Sequence, residues 1–200
     1  MTPAQTPASR GRRGARERIL QAATELFYTR GIHATGVAAL METAHVSPRT
    51  FYVHFPTKNA LVEEYLRRVE AEQIVPAEAA LGRDDLPPEA RILAIFDPLD
   101  RTAAGPLRGC PFHNAAVEVA GELVEIAELT KQHKRWFRER LTTLAAEAGA
   151  VEPENLGRQL AVVYEGANAL AASIDDNQAF VDAKNVAETL VTIAMTPARG

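Results

Sequence analysis

One cysteine, Cys110, stands among 200 residues. That scarcity excludes an intrachain disulfide framework and a zinc cage built from several thiolates. It also points to a reducing, cytoplasmic setting. Long apolar runs are lacking as well. None approaches the ~20 residues a membrane helix needs, so no membrane partner is expected. The opening segment MTPAQTPASRGRRGARER is basic, but no apolar stretch follows it, so it does not read as a secretory signal. Nowhere do polar and apolar residues alternate long enough for a sheet, and there is no short internal repeat.

What is present begins with a 46% hydrophobic content, enough for a real core. The net charge of −4 hides an asymmetry. Residues 1–58 carry eight Arg and Lys against three Glu, whereas the remainder carries 14 basic residues against 23 acidic ones. A basic head on an acidic body suggests a head that meets a polyanion.

Apolar spacing predicts helices throughout. Residues 1–10 read as a disordered arm and regular structure as beginning near Gly11. The first helix runs to Gly31, a C-cap residue. Arg12, Arg13, Arg16 and Arg18 lie near its start, where positive charge opposes the macrodipole, and a phosphate partner would explain them. Thr35 reads as the N-cap of a second helix, with Val37, Leu40, Met41 and Ala44 on its buried face. After the turn His45–Val46, Ser47 caps a third helix with Pro48 at its first position. Pro56 disfavours helix at Phe55, so this helix spans about two turns. Thr57 then caps a long fourth helix from Lys58 to about Val75. The stretch PAEAALGRDDLPP is a break, and helices continue beyond it, with a kink expected at Pro98.

Two short helices joined by a tight turn and backed by an earlier helix describe a helix-turn-helix. Phe51 and Phe55 can both face inward, which spreads Pro48, Arg49, Thr50, Tyr52, Val53 and His54 over the outer surface. Their donors suit phosphates and base edges. A catalytic use of Ser47 has no Gly-x-Ser-x-Gly elbow behind it. A metal use of His45 and His54 has no Cys or paired carboxylate at ligand spacing. No catalytic residue, metal ligand set or cofactor is therefore expected, and the chain does not read as an enzyme.

The stretch GIHATGVAALMETAHVSPRTFYVHFPTKNALVEEYL resembles the DNA-binding domain of the TetR family of bacterial transcriptional regulators. GCPFHNAAVE at 109–118 is similar to a helix start found in many members. The resemblance implies an all-α fold of about nine helices. Residues 11–58 would form a three-helix helix-turn-helix domain, and residues 59–200 a helical effector-binding and dimerisation domain. Thr35, Tyr52, His54 and Lys58 would hold DNA phosphates. Ser47, Pro48, Arg49 and Thr50 would face the major groove, with Arg49 as base reader. The family usually has glycine where this chain has His45, which then reads as a tolerated turn residue or an added phosphate contact.

The implied function is a ligand-responsive repressor, a homodimer on a palindromic double-stranded DNA operator, released by a small-molecule effector that moves the fourth helix. Phe96, Cys110, Phe112, His113, Asn114, Trp136 and Tyr164 are candidates for the effector cavity, and their identity suggests a largely apolar effector. Taken singly, each is more often an ordinary core residue than a ligand contact. The last two helices would form the dimer, with Ala161, Gly166, Ala167, Ala169, Ala171 and Ala172 as a small-residue surface and Leu160, Val163, Leu170 and Ile174 around it. A buried intrachain helix would also fit that composition. An alternative is a redox or electrophile sensor acting through Cys110 and a protein partner, since a thiol at a helix start can have a lowered pKa.

Overall fold

The computed structural model describes residues 7–72, 76–97, 108–119 and 124–196 of the chain. All regular structure among them is helical. The N-terminal part comprises α1 (Pro7–Arg30), α2 (Val37–Thr43), α3 (Pro48–His54) and α4 (Lys58–Ala71). The rest comprises α5 (Pro76–Ala79) with a 3-10 turn (Ala80–Gly82), α6 (Pro88–Ala94), α7 (Pro111–Glu118), α8 (Val124–Glu147), α9 (Pro153–Ile174) and α10 (Gln178–Ala194). The all-α expectation holds.

Several boundaries differ from expectation. Helix α1 begins at Pro7, so residues 7–10 are not part of a disordered arm; residues 1–6 lie outside the described residues. Arg16 and Arg18 are consequently well inside the helix rather than in its first turn. Arg16 reaches Glu64 on α4 at 2.5 Å and lies 5.5 Å from the Phe55 ring centroid. Arg18 donates from Nε to the Ala44 carbonyl at 3.0 Å. Both arginines thus tie α1 to its neighbours, which gives these two a structural role. The side chains of Arg12 and Arg13, the expected kink at Pro98 and the end of the fourth helix beyond Glu72 lie outside the described residues.

Two cores organise the molecule. The first gathers Ile19, Ala23 and Leu26 of α1, Leu40 of α2, Phe51 of α3, and Leu61, Tyr65 and Leu66 of α4. It extends without a break to Phe112, Ala115, Val119 and Ile126 from α7 and the start of α8. Residues on both sides of residue 58 thus share one apolar cluster, with α4 packed on α1 and α7 packed on α4 and α8. The second core joins α6, α8, α9 and α10 around Phe96, Phe137, Leu141, Leu160, Tyr164 and Phe180. Tyr164 stands at its centre, with ring centroids 5.9 Å from Phe96, 4.9 Å from Phe137 and 6.4 Å from Phe180. Helices α8 and α9 approach closely at Gly157, where a Cβ would come within 2.9 Å of the Thr142 backbone nitrogen.

Candidate functional site

The turn between α2 and α3 fixes the geometry of the basic head. Ala44 is the C-cap of α2. His45 N–H donates to the Glu42 carbonyl at 3.1 Å, and Val46 N–H to the Met41 carbonyl at 3.0 Å. This pair of bonds is the Schellman motif, whose first residue beyond the cap is left-handed and usually glycine. His45 fills that place with φ 51°. The same two bonds close α8, where Gly149 has φ 88°. His45 is thus a turn residue in a conformation that costs an L-residue roughly 1–2 kcal/mol.

Ser47 caps α3 as expected. Its Oγ accepts from the Thr50 N–H at 3.2 Å and lies 2.9 Å from the Thr50 hydroxyl. The α3 backbone ends at Phe55, whose extended φ of −132° is the conformation Pro56 selects. Phe51 and Phe55 are buried and anchor the helix in the first core. Arg49, Tyr52 and Val53 are exposed, and His54 is half-buried at the helix end. Thr57 Oγ1 accepts from the Ala60 N–H at 3.0 Å, which starts α4 beside this face. Lys58 opens α4 and is half-buried. Burial pulls its pKa below the usual lysine value, against the opposing pull of the Glu118 carboxylate.

Thr35 departs from its expected role. It is 1% exposed, and its hydroxyl bonds the Gly31 carbonyl at 2.7 Å and the Leu26 carbonyl at 3.2 Å. It closes the end of α1, so its side chain cannot hold a phosphate. The N-cap of α2 is Gly36, without a side-chain bond.

A second set of contacts ties α7 to the basic head. Arg108 donates from Nε to the Tyr28 carbonyl at 3.2 Å. At the other end of α7, Glu118 Oε2 accepts from the His33 N–H at 2.8 Å and packs on Gly31. The stretch before and along α7 also lines a cavity of about 180 Å³ with Arg108, Cys110, His113 and Asn114, opposite Glu165 and Asn168 of α9. The cavity contains three of the seven expected effector residues. Phe96 and Tyr164 belong to the second core and Phe112 to the first, while Trp136 is 40% exposed. Polar and apolar surface line the cavity about equally, with Arg108, Asn114 and Glu165 beside Ala169 and Ala172.

Beneath that cavity is a cluster that sequence spacing did not reveal. His133 of α8 is buried between Phe112, stacked at 3.7 Å, and Trp136 at 5.8 Å. Its Nε2 lies 3.2 Å from Glu78 of α5. Burial works against the imidazolium, but hydrogen bonds with Cys110 and Glu78 outweigh it and hold the pKa up at about 9. Lys134 Nζ approaches Cys110 Sγ at 3.3 Å and Glu165 at 2.5 Å. Cys110 itself is 4% exposed and lines that cavity.

Comparison with known proteins converges on this head. Residues 19–65 match the family model described as bacterial regulatory proteins, tetR family. The repressor KstR2 of Rhodococcus jostii is 36% identical over 67 residues, which cover 34% of this chain and 33% of that protein. The match thus spans about a third of that relative's length. The repressor DhaR of a Mycobacterium species is 24% identical over 76% of this chain and 79% of its own. Among solved structures, the TetR-family regulator SCO4454 of Streptomyces coelicolor superposes with a TM-score of 0.81 at 27% identity, covering 92% of this chain and 97% of its own. The TetR-type protein sav143 of Streptomyces avermitilis superposes at 0.76 with 31% identity, covering 90% and 97%. The helix-turn-helix signature, the two-core helical fold and a 31% identical relative matched over nearly its whole length place this chain in the TetR family of bacterial transcriptional regulators.

Proposed function

We propose that the protein is a homodimeric, effector-responsive transcriptional repressor acting on a roughly palindromic operator. The observation that carries this reading is α3, a Ser47-capped helix with both phenylalanines in the core and Arg49, Tyr52 and Val53 turned outward. Two such helices would enter successive major grooves ~34–36 Å apart. Arg49 reads base edges, with Ser47, Pro48 and Thr50 along the groove, while Tyr52, His54 and Lys58 meet phosphates. The repressors named among the relatives support the sign of regulation.

The effector would occupy the cavity beside α7. Its volume, and Arg108, Asn114 and Glu165 set beside Ala169 and Ala172, suit a small molecule with both polar and apolar groups. Filling it would displace α7, which is fastened to His33 through Glu118 and, by the stretch before it, to Tyr28 through Arg108. This moves the proposed lever from α4 alone to α7 and α4 together. Linkage then requires that DNA weaken effector binding by the same factor as effector weakens DNA binding.

A gel shift on the DNA upstream of the chain's own coding region, at increasing salt, tests the reading. A sequence-specific complex should form, with log affinity falling linearly against log salt as phosphates are neutralised. No sequence-specific complex at any salt concentration would overturn it.

A further inference from the structure

Three different metal-ligating side chains converge in the interior from distant parts of the chain. Glu78 comes from α5, Cys110 from the residue before α7, and His133 from the middle of α8. They are 7%, 4% and 1% exposed. One ligand atom from each lies within 4.8 Å of the other two. His133 Nε2 and Glu78 Oε1 are 3.2 Å apart. Two nitrogen or oxygen ligands on a tetrahedral zinc at ~2.0–2.1 Å stand about 3.3 Å from each other, so an ion can bridge this pair with little movement.

The far side of the histidine gives an independent reason. His133 Nδ1 is buried without a hydrogen-bond partner, and the nearest carboxylate oxygen, Glu70 Oε1 of α4, is 3.8 Å away. A metal-binding imidazole places its second N–H toward a carboxylate in this manner, which fixes the tautomer and the ring. The stacked Phe112 ring, at an interplanar angle of 7°, holds the same orientation.

We propose that Glu78, Cys110 and His133 bind a divalent transition-metal ion of borderline softness, zinc or a chemically similar ion. A thiolate with an imidazole disfavours magnesium and calcium, which take oxygen ligands. The three protein ligands leave a fourth position, and the cavity that Cys110 also lines gives a water molecule or small ligand access to it. Lys134 is the competitor for the thiolate, and its charge is already paired with Glu165. Without an ion, the cluster is a buried histidine–carboxylate pair.

The test uses the untagged, full-length, reduced protein stripped with a chelator and titrated with Co²⁺ alone. It involves no DNA, so it is independent of the repressor reading. The expected result is saturation at one ion per chain, with intense visible bands of a low-symmetry site and a thiolate-to-cobalt charge-transfer band, both erased by Zn²⁺. Cys110→Ser should abolish the charge-transfer band. Glu70→Gln, at a half-exposed position that leaves the packing intact, should weaken Co²⁺ binding about 10–100-fold. Absence of the charge-transfer band in the wild-type protein overturns the proposal. So does unchanged Co²⁺ affinity in both Glu78→Gln and Glu70→Gln.

Discussion

At the scale of single residues, the clearest expectations concern α3 and the turn before it. Arg49 is exposed on the outer face, and an arginine bidentate to guanine contributes ~1–3 kcal/mol of discrimination. Arg49→Ala should therefore narrow the gap between specific and scrambled DNA, whereas Lys58→Ala should weaken both alike. Fluorescence-anisotropy titrations of the two DNAs separate these outcomes, and equal losses on both for Arg49→Ala would remove it as base reader. His45 occupies the left-handed position of a Schellman turn. Replacing it by glycine should raise the unfolding free energy by about 1 kcal/mol, the strain relieved less the flexibility glycine adds to the unfolded chain. Urea unfolding measures that gain, and an unchanged operator affinity would identify His45 as a turn residue without a phosphate contact.

At the scale of elements, packing between helices decides the outcome. Gly157→Ala should cost ~1–3 kcal/mol, because its Cβ would press on the Thr142 backbone of the facing helix. A melting temperature equal to wild type would show that α8 and α9 can separate freely. Glu118→Ala should speed amide hydrogen exchange at His33, whose N–H it holds, while leaving Phe51 on α3 protected. The local elements were legible in the sequence for local reasons. Ser47 with Pro48, Pro56 and Thr57 mark helix ends within a few residues, and Phe51 and Phe55 mark a buried face by spacing alone. The illegible features all depend on distant partners. Nothing near Arg16 foretells Glu64, nothing near Thr35 says that its hydroxyl turns back to Leu26, and Glu78, Cys110 and His133 have no mutual spacing to recognise.

At the scale of the whole molecule, α9 and α10 leave apolar side chains outward. Val162 is 73% exposed, Leu170 52%, Ile174 58% and Ile193 65%. Leu160, Ala167 and Ala171, by contrast, face the second core. The small-residue surface expected from sequence is therefore divided: part seats α9 within the chain, and Gly166, Ala169 and Leu170 remain outward. Exposed apolar side chains along a helix face are what an association surface uses, and we propose that this one pairs with a second copy of the chain. If the proposed dimer forms through this surface, Leu170→Glu should convert it into monomers in sedimentation at micromolar concentration, and should cost operator affinity because each monomer would reach only one of the two proposed half-sites. A wild-type protein that sediments as a monomer would place the partner of this surface elsewhere.

The first core has a consequence for how the chain is made. Its seats on α1–α4 are filled by Phe112, Ala115, Val119 and Ile126. A nascent chain that has released only its first 72 residues holds the residues proposed to meet DNA but not yet the side chains that complete their support. The reading head therefore does not behave as a detachable cassette. It matures after its own sequence has been translated, when residues beyond α4 arrive to close it, and a fragment cut at the end of α4 would expose an apolar face that the full protein hides.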